Sequence, residues 1–136
     1  MIDLEFAWNA EQIDNIFTSW GDDLIAKEIN AVILDFGFLL VYSLSLAGIT
    51  LILTKSGVFK SWTKFGYYFT LIPFFAAGFD AVENINLLLM LSSPSSFPSF
   101  APLVASICAT IKFGLIIATI LFWVIGLVYS VIKRIL

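Results

Sequence analysis

The stretch APLVASICATIKFGLIIATILFWVIGLVYSVI (residues 101–132) decides the fold, because it is almost wholly apolar and carries a single charge, Lys112. As a helix it would be ~48 Å long, more than the ~30 Å hydrocarbon core of a bilayer requires. Dividing it would leave two pieces too short to cross, and no turn sequence separates them. We therefore predict one long transmembrane helix over 101–132 that is tilted or protrudes from the membrane.

Two stretches upstream are also long and apolar enough to cross a bilayer. The first covers residues 31–54 and the second covers residues 66–91, where Pro73 removes a backbone donor and is expected to kink the helix. Residues 1–29 are instead acidic, with apolar side chains at spacings of three and four. This pattern indicates an amphipathic helix on the membrane surface or on the bundle. The apolar residues in question are Ile13, Ile16, Phe17, Trp20 and Leu24.

The composition is that of a membrane protein. Hydrophobic residues make up 60% of the chain and charged residues only 12%, whereas soluble domains carry about 25% charged residues. The mean hydropathy is +1.01. The sequence therefore predicts a single all-α membrane domain over residues 1–136, an integral membrane bundle of three transmembrane helices plus an N-terminal amphipathic helix.

The residue types that are missing exclude several kinds of site. The chain has no His and a single Cys, Cys108, which argues against a metal centre, a haem with the usual ligand and an intrachain disulfide. There is no basic patch, so nucleic acid is not an expected partner. Because no nucleophile accompanied by a base is apparent either, the sequence favours a role other than catalysis.

The distribution of cations predicts the orientation. Residues 55–65 contain three lysines and no acid, and Lys133 and Arg134 follow the last span. Cytoplasmic loops are enriched in lysine and arginine, so these two regions should face the cytoplasm. The acidic N-terminal segment and the loop over 92–100 would then lie outside.

Four ionisable side chains fall inside the predicted spans: Asp35, Asp80, Glu83 and Lys112. Each costs roughly 2.5–3.5 kcal/mol at the centre of a bilayer and must be explained. Helix rise places Asp80, Glu83 and Lys112 ~12–16 Å from the outer ends of their spans and Asp35 at only ~6 Å. We expect Lys112 to pair with one carboxylate and to have a second beside it.

Two uncharged polar residues extend this group. Asn84 shares a helix face with the acids on its span, and Tyr42 lies seven residues beyond the acid on the first span. The predicted intramembrane polar cluster therefore comprises Asp35, Tyr42, Asp80, Glu83, Asn84 and Lys112.

The cluster has three interpretations at this point. It could be purely structural, with Asp80 paired to Lys112 and Glu83 paired to Asp35. It could form a ligand or substrate site in the outer half of the bundle, where a surplus carboxylate would hold a proton or accept a ligand. It could also be part of a proton or ion pathway, which three spans could provide only in an oligomer.

Three segments of the chain resemble a pattern found in small bacterial inner-membrane proteins of unknown function. The segments are LDFGFLLVYS (34–43), FDAVENINLLLML (79–91) and ATIKFGL (109–115). The resemblance covers the three predicted spans but not the N-terminal helix, and it carries the same six polar positions. It implies a bacterial membrane and no particular activity.

We expect from the sequence a small accessory or structural subunit of a larger membrane protein complex, held together by the polar cluster. One alternative is a membrane enzyme or carrier that binds a lipid-soluble substrate or cofactor there, such as a lipid, quinone or pigment. Another is an oligomeric proton or ion conductor. The expected partners are the lipid bilayer and other membrane subunits or copies of this chain. The expected location is the bacterial cytoplasmic (inner) membrane, or an equivalent energy-transducing membrane, with the N-terminus outside and the C-terminus cytoplasmic.

Overall fold

A computed structural model describes residues 2–59 and 62–135, and this part of the chain is all-helical. Three helical stretches are each long and apolar enough to cross a membrane: Ala10–Lys55, Thr63–Ser92 and Ala101–Lys133. The predicted all-α class and the three apolar helices are thereby confirmed. In chain order the helices are α1 (Ile2–Glu5), α2 (Ala10–Lys55), α3 (Thr63–Phe69), α4 (Ile72–Ser92) and α5 (Ala101–Ile135).

The segment predicted as one amphipathic helix over 1–29 is divided differently in the structure. The single turn α1 ends at Glu5, and α2 starts only after Asn9. The Asn9 side chain caps α2 by accepting a hydrogen bond of 3.0 Å from the backbone N–H of Gln12. The first turns of α2 bury Ile13 against the bundle, so this part of the chain packs on the protein.

Gly21 provides the sharp bend within α2. Its φ of 69° and ψ of 174° lie in a region that essentially only glycine adopts. Helical geometry then continues without a break to Lys55, so the helix predicted to begin at residue 31 in fact starts just after Gly21. No end signal separates the two regions, since residue 30 is followed directly by further helix-compatible residues.

The second apolar stretch is interrupted, but just before its proline rather than at it. The helix α3 ends at Phe69 and α4 begins at Ile72, with Pro73 in its first turn. Pro73 has no N–H to donate to the carbonyl of Phe69, four residues earlier, so the ladder of helical hydrogen bonds must stop there. The proline therefore starts a new helix, a position that it tolerates well.

Helix α4 is the centre of the bundle, because it packs along both α2 and α5. At one end, here called the α1 end, the helices enclose a buried apolar core. At the opposite end, the α3 end, aromatic rings fill the space, with Phe122 stacked between Phe59 and Phe69 at centroid distances of 4.3 and 4.0 Å. The core of the α1 end consists of Leu4, Ala7, Ile13, Phe17, Val32, Leu87, Met90, Leu91, Ala101 and Ala105.

A hydrogen bond ties α2 directly to α5 near the α3 end. The indole Nε1 of Trp123 donates to the hydroxyl of Thr50 over 2.8 Å. Thr50 is fully buried, and its own hydroxyl donates to the carbonyl of Leu46 at 2.8 Å. The two outer helices thus meet at this level.

We predict that Gly21→Ala destabilises the protein by about 1–3 kcal/mol, because alanine must adopt the same positive φ. No atom lies within 4 Å of the position that the new methyl group would take, so the effect would come from the backbone alone. The measurement is the unfolding midpoint of the detergent-solubilised chain.

Gly37→Ala is the matched control for that substitution. Gly37 also has open space around it but lies within regular helix, where alanine is favoured over glycine by roughly 0.5–1 kcal/mol. The two variants should therefore shift the midpoint in opposite directions. A Gly21→Ala protein as stable as the Gly37→Ala protein would show that the bend is not required.

Candidate functional site

Lys112 lies at the centre of the polar cluster. Its side chain on α5 is buried, and its ammonium Nζ contacts two carboxylates of α4. It lies 3.1 Å from Oδ1 of Asp80, and 3.0 and 2.9 Å from Oε1 and Oε2 of Glu83. Asp80 and Glu83 are one helical turn apart, so both point at the same place on α5.

Small side chains on α5 make this contact possible. Ala105 and Cys108 lie on the same face of α5 as Lys112, and both are buried. Short side chains at such positions allow two helices to approach closely. The lysine can therefore reach the carboxylates of α4.

A third carboxylate reaches the lysine from the N-terminal turn. Glu5, at the end of α1, places its Oε2 3.8 Å from the Nζ of Lys112 and is only 3% exposed. That oxygen accepts no hydrogen bond among the described residues. Phe6 packs beside it, with its ring stacked on that of Phe113 at 6.0 Å.

Glu5 is absent from the predicted cluster, because it lies in the acidic segment 1–29, outside the predicted spans. The usable signal is weak: Leu4 and Ala7 flank Glu5 and are buried with it. A single helical turn gives too little periodicity for that burial to be recognised. Burial raises the pKa of Glu5 above its ordinary value of 4.5; Lys112 lowers the pKa, and the carboxylates of Asp35 and Asp80 raise it.

Asp35 is held by an amide rather than by another charge. The side-chain Nδ2 of Asn84 donates to Oδ2 of Asp35 over 2.8 Å, joining α4 to α2. The pairing of Glu83 with Asp35 considered for a purely structural cluster is therefore wrong, since Glu83 is bound to Lys112 instead. Asn84 is fully buried, whereas Asp35 is partly exposed.

Tyr42 lies on α2 with its hydroxyl near Asp80. It forms part of a cavity of ≈ 390 Å³ between α2 and α5, whose ionisable lining residues all belong to the polar cluster or to α1. The remaining lining residues are mostly apolar or aromatic. The complete lining is Glu5, Asp35, Phe38, Tyr42, Ser45, Leu46, Asp80, Lys112, Phe113 and Ile116.

The cavity has closed ends and an open side. The turn α1 lies at one end, and the contact between Trp123 and Thr50 joins α2 to α5 beyond the other. On the open side Phe38 and Phe113 remain 61% and 38% exposed. The Phe113 ring also faces inward, with the Nζ of Lys112 4.7 Å from its centroid. The cavity thus connects a charged inner wall to an apolar outer surface.

The charges around this cavity do not balance. Three carboxyl groups, on Glu5, Asp80 and Glu83, lie 2.9–3.8 Å from the one ammonium of Lys112. Asp35 adds a fourth carboxyl group to the cavity lining. In a low-dielectric interior, uncompensated charge is costly, so the surplus must be met by protons or by a positively charged group. No group of His, Cys, Asp and Glu residues arranged to hold a metal ion occurs within 2–59 and 62–135.

A comparison of the chain with protein-family models, curated proteins and solved structures found no match. The resemblance to small bacterial inner-membrane proteins therefore stays a prediction. What the cluster does has to be inferred from its own geometry.

We predict that Lys112→Met destabilises the protein by about 3–5 kcal/mol, because it leaves buried carboxylates without their cation. Adding Glu83→Gln to that variant should recover part of the loss by removing one of those carboxylates. Lys27→Met, on an exposed part of α2, is the control and should change little. Thermal unfolding in detergent measures all three. Equal midpoints for Lys112→Met and Lys27→Met would contradict a stabilising role for the buried ammonium.

We also predict that the docking of α1 weakens as the pH rises above 4.5. The pKa of Glu5 is raised in the folded state, so the folded state retains its proton longer than the unfolded state does. Stability from docking is therefore complete below 4.5 and declines as the pH rises through the folded pKa. Hydrogen exchange of residues 2–7, corrected for the intrinsic rate at each pH, measures the opening.

Glu5→Gln removes the titrating group and should make that protection independent of pH. Asp3→Asn, at an exposed position two residues away, is the control and should retain the pH dependence. If Glu5→Gln and the native chain opened identically across the range, titration of Glu5 would not control α1.

Proposed function

We propose that this protein is an integral membrane protein that binds a small lipid-soluble molecule in the cavity between α2 and α5. The observation that carries the proposal is the cavity itself, ≈ 390 Å³ in volume, with apolar walls and charged groups on one side. Ligand sites are typically 300–1,000 Å³, mostly apolar, with a few polar groups that fix orientation. This combination favours a binding protein or carrier.

The position of the opening supports entry of the ligand from the bilayer. The surfaces of α2 and α5 on either side of the cavity expose large apolar side chains, among them Leu34 at 74% and Ile117 at 55%. In a membrane such surfaces contact lipid, because exposing them to water would be unfavourable. A molecule dissolved in the bilayer could therefore slide between α2 and α5 with its polar end directed at Asp35, Asp80 and Lys112.

The polar end of the ligand would meet groups able to exchange protons. Asp80 and Tyr42 both line the cavity, and Lys112 holds Asp80 in position. A bound lipid, quinone or pigment would fit this description, as would an amphiphilic substrate. An acid–base role for Asp80 belongs to the same proposal.

We place the protein in the bacterial cytoplasmic membrane, with its N-terminus outside. The support is the lysine-rich loop around α3 and the cations at the end of α5, which favour the cytoplasmic side. The polar cluster and the cavity would then lie in the outer half of the bilayer.

The accessory subunit expected from the sequence is a second candidate, and one observation favours it. The last turns of α5 expose side chains all around the helix, including Leu127, Val128, Val131 and Ile132. A helix that is apolar on every side must be covered by lipid or by another protein. Recovery of a stoichiometric membrane partner in mild detergent, lost when Val128 and Ile132 are both changed to Ser, would support this role. A homogeneous lone chain would count against it.

Filling the cavity tests the main proposal. Ser45 lines it, and Ser45→Leu should occupy space that a ligand needs. We expect native mass spectrometry of the purified full chain to detect a retained small molecule, and the Ser45→Leu protein to lose at least about nine-tenths of it, a loss of roughly 1.4 kcal/mol in affinity.

Ser19→Leu is the matched control, because Ser19 is on α2 but does not line the cavity, and its hydroxyl also donates to a backbone carbonyl of its own helix. It should retain the molecule at the native level. The proposal would be wrong if the two variants retained the small molecule equally, or if the native chain carried no small molecule from its native membrane.

A further inference from the structure

The inner wall of the cavity carries more negative than positive charge. Lys112 already has Asp80 and Glu83 within hydrogen-bonding distance, and Glu5 at 3.8 Å. Its ammonium is therefore fully engaged by the protein. Asp35 adds a further carboxylate to the cavity wall, with an amide of Asn84 rather than a cation as its partner.

A buried carboxylate oxygen of the cavity lining has no hydrogen bond within the part of the chain that the structure describes, and neither does the buried hydroxyl of Tyr42. Glu5 lines the cavity, and its Oε2 is buried and accepts no hydrogen bond from the described residues. Leaving such a buried acceptor unsatisfied is unfavourable, and more so if the group is charged. A donor that occupied the cavity beside Glu5 would remove this cost.

The other walls suit a cation with an organic body. Phe38, Tyr42 and Phe113 present aromatic rings to the cavity, and such rings attract cations within about 6 Å. The contact of Lys112 with Phe113 at 4.7 Å already uses this attraction inside the protein. A bare metal ion has no apolar part to cover the aliphatic walls, whereas a protonated amine carries a cation and an apolar body in one molecule.

We propose that the molecule bound in this cavity is a small organic amine, held as its cation between Asp35, Asp80 and Glu5 with its apolar part against the aromatic walls. This inference rests on the proposed function and adds the chemical class of the ligand. The ammonium would donate to the unsatisfied oxygen of Glu5 and offset one of the surplus negative charges. Its body would occupy the side of the cavity that opens between Phe38 and Phe113.

Three probes of nearly equal size separate charge from shape: 4-phenylbutylamine, 4-phenylbutanol and 4-phenylbutanoate. Each is titrated by calorimetry at pH 7 into the full chain in lipid nanodiscs, with empty nanodiscs subtracted to remove partitioning into lipid. We expect the amine to bind about tenfold or more tightly than the alcohol, because its hydrogen bond to a carboxylate is charge-assisted, and the carboxylate probe to bind weakest.

Asp35→Asn should weaken binding of the amine about tenfold and should weaken binding of the alcohol much less, because only the amine loses a charged partner. The side chain keeps its shape and can still accept from Asn84. Asp14→Asn, on an exposed part of α2, should change neither affinity. Glu5→Gln provides a second test on another helix, and the unfolding midpoint of each variant establishes that it is folded.

The outcomes distinguish this inference from the proposed function. If the alcohol binds as well as the amine and Ser45→Leu weakens both, the site exists but does not select cations. If the carboxylate binds best, Lys112 rather than the acids determines the ligand, and the inference is wrong. If Ser45→Leu leaves the amine and the alcohol unchanged, or no probe binds, the proposed function fails as well. If the acids bind only protons, Asp35→Asn will not alter the affinity for the amine.

Discussion

The rest of the structure depends on the ammonium of Lys112 and the two carboxylates of α4 that hold it. A buried lysine without partners would be one of the most expensive groups in an apolar bundle. Its contacts with Asp80 and Glu83 determine which face of α4 packs against α5 and how the two helices are aligned along their axes. Because removing one member leaves the others uncompensated, the three groups act as a unit.

This constraint also explains why the cavity lies where it does. Helix α4 is occupied on one side by α5 and on the other by α2, which Asn84 attaches through Asp35. Both α2 and α5 pack on α4, and a hydrogen bond from Trp123 bridges α2 and α5 directly. The space left between them is therefore bounded by the same polar groups that assemble the bundle. Structure and candidate function share one set of side chains.

The sequence predicts those features that follow from helical spacing alone. Three apolar stretches indicated three helices, and the spacing of Asp80 and Glu83, with their depth relative to Lys112, was enough to anticipate that they could meet. The partner of Asp35 could not be deduced, because Asn84 and Glu83 are adjacent and the choice between them depends on how α4 is rotated. The burial of Glu5 could not be predicted, because a single helical turn is too short to show a hydrophobic periodicity. The bend at Gly21 could not be predicted either, because it depends on a positive φ at Gly21, and the spacing of apolar residues carries no information about φ.

The short connection between α4 and α5 has a consequence for how the chain enters a membrane. Only residues 93–100 separate the helix that carries two carboxylates from the helix that carries the lysine. Inserted singly, each charged helix would meet roughly 2.5–3.5 kcal/mol of resistance per ionised group. As a hairpin, the two helices can neutralise one another before either faces lipid alone. We therefore expect α4 and α5 to insert into the membrane together. Lengthening this loop should lower the rate of insertion more than it lowers the stability of the folded protein.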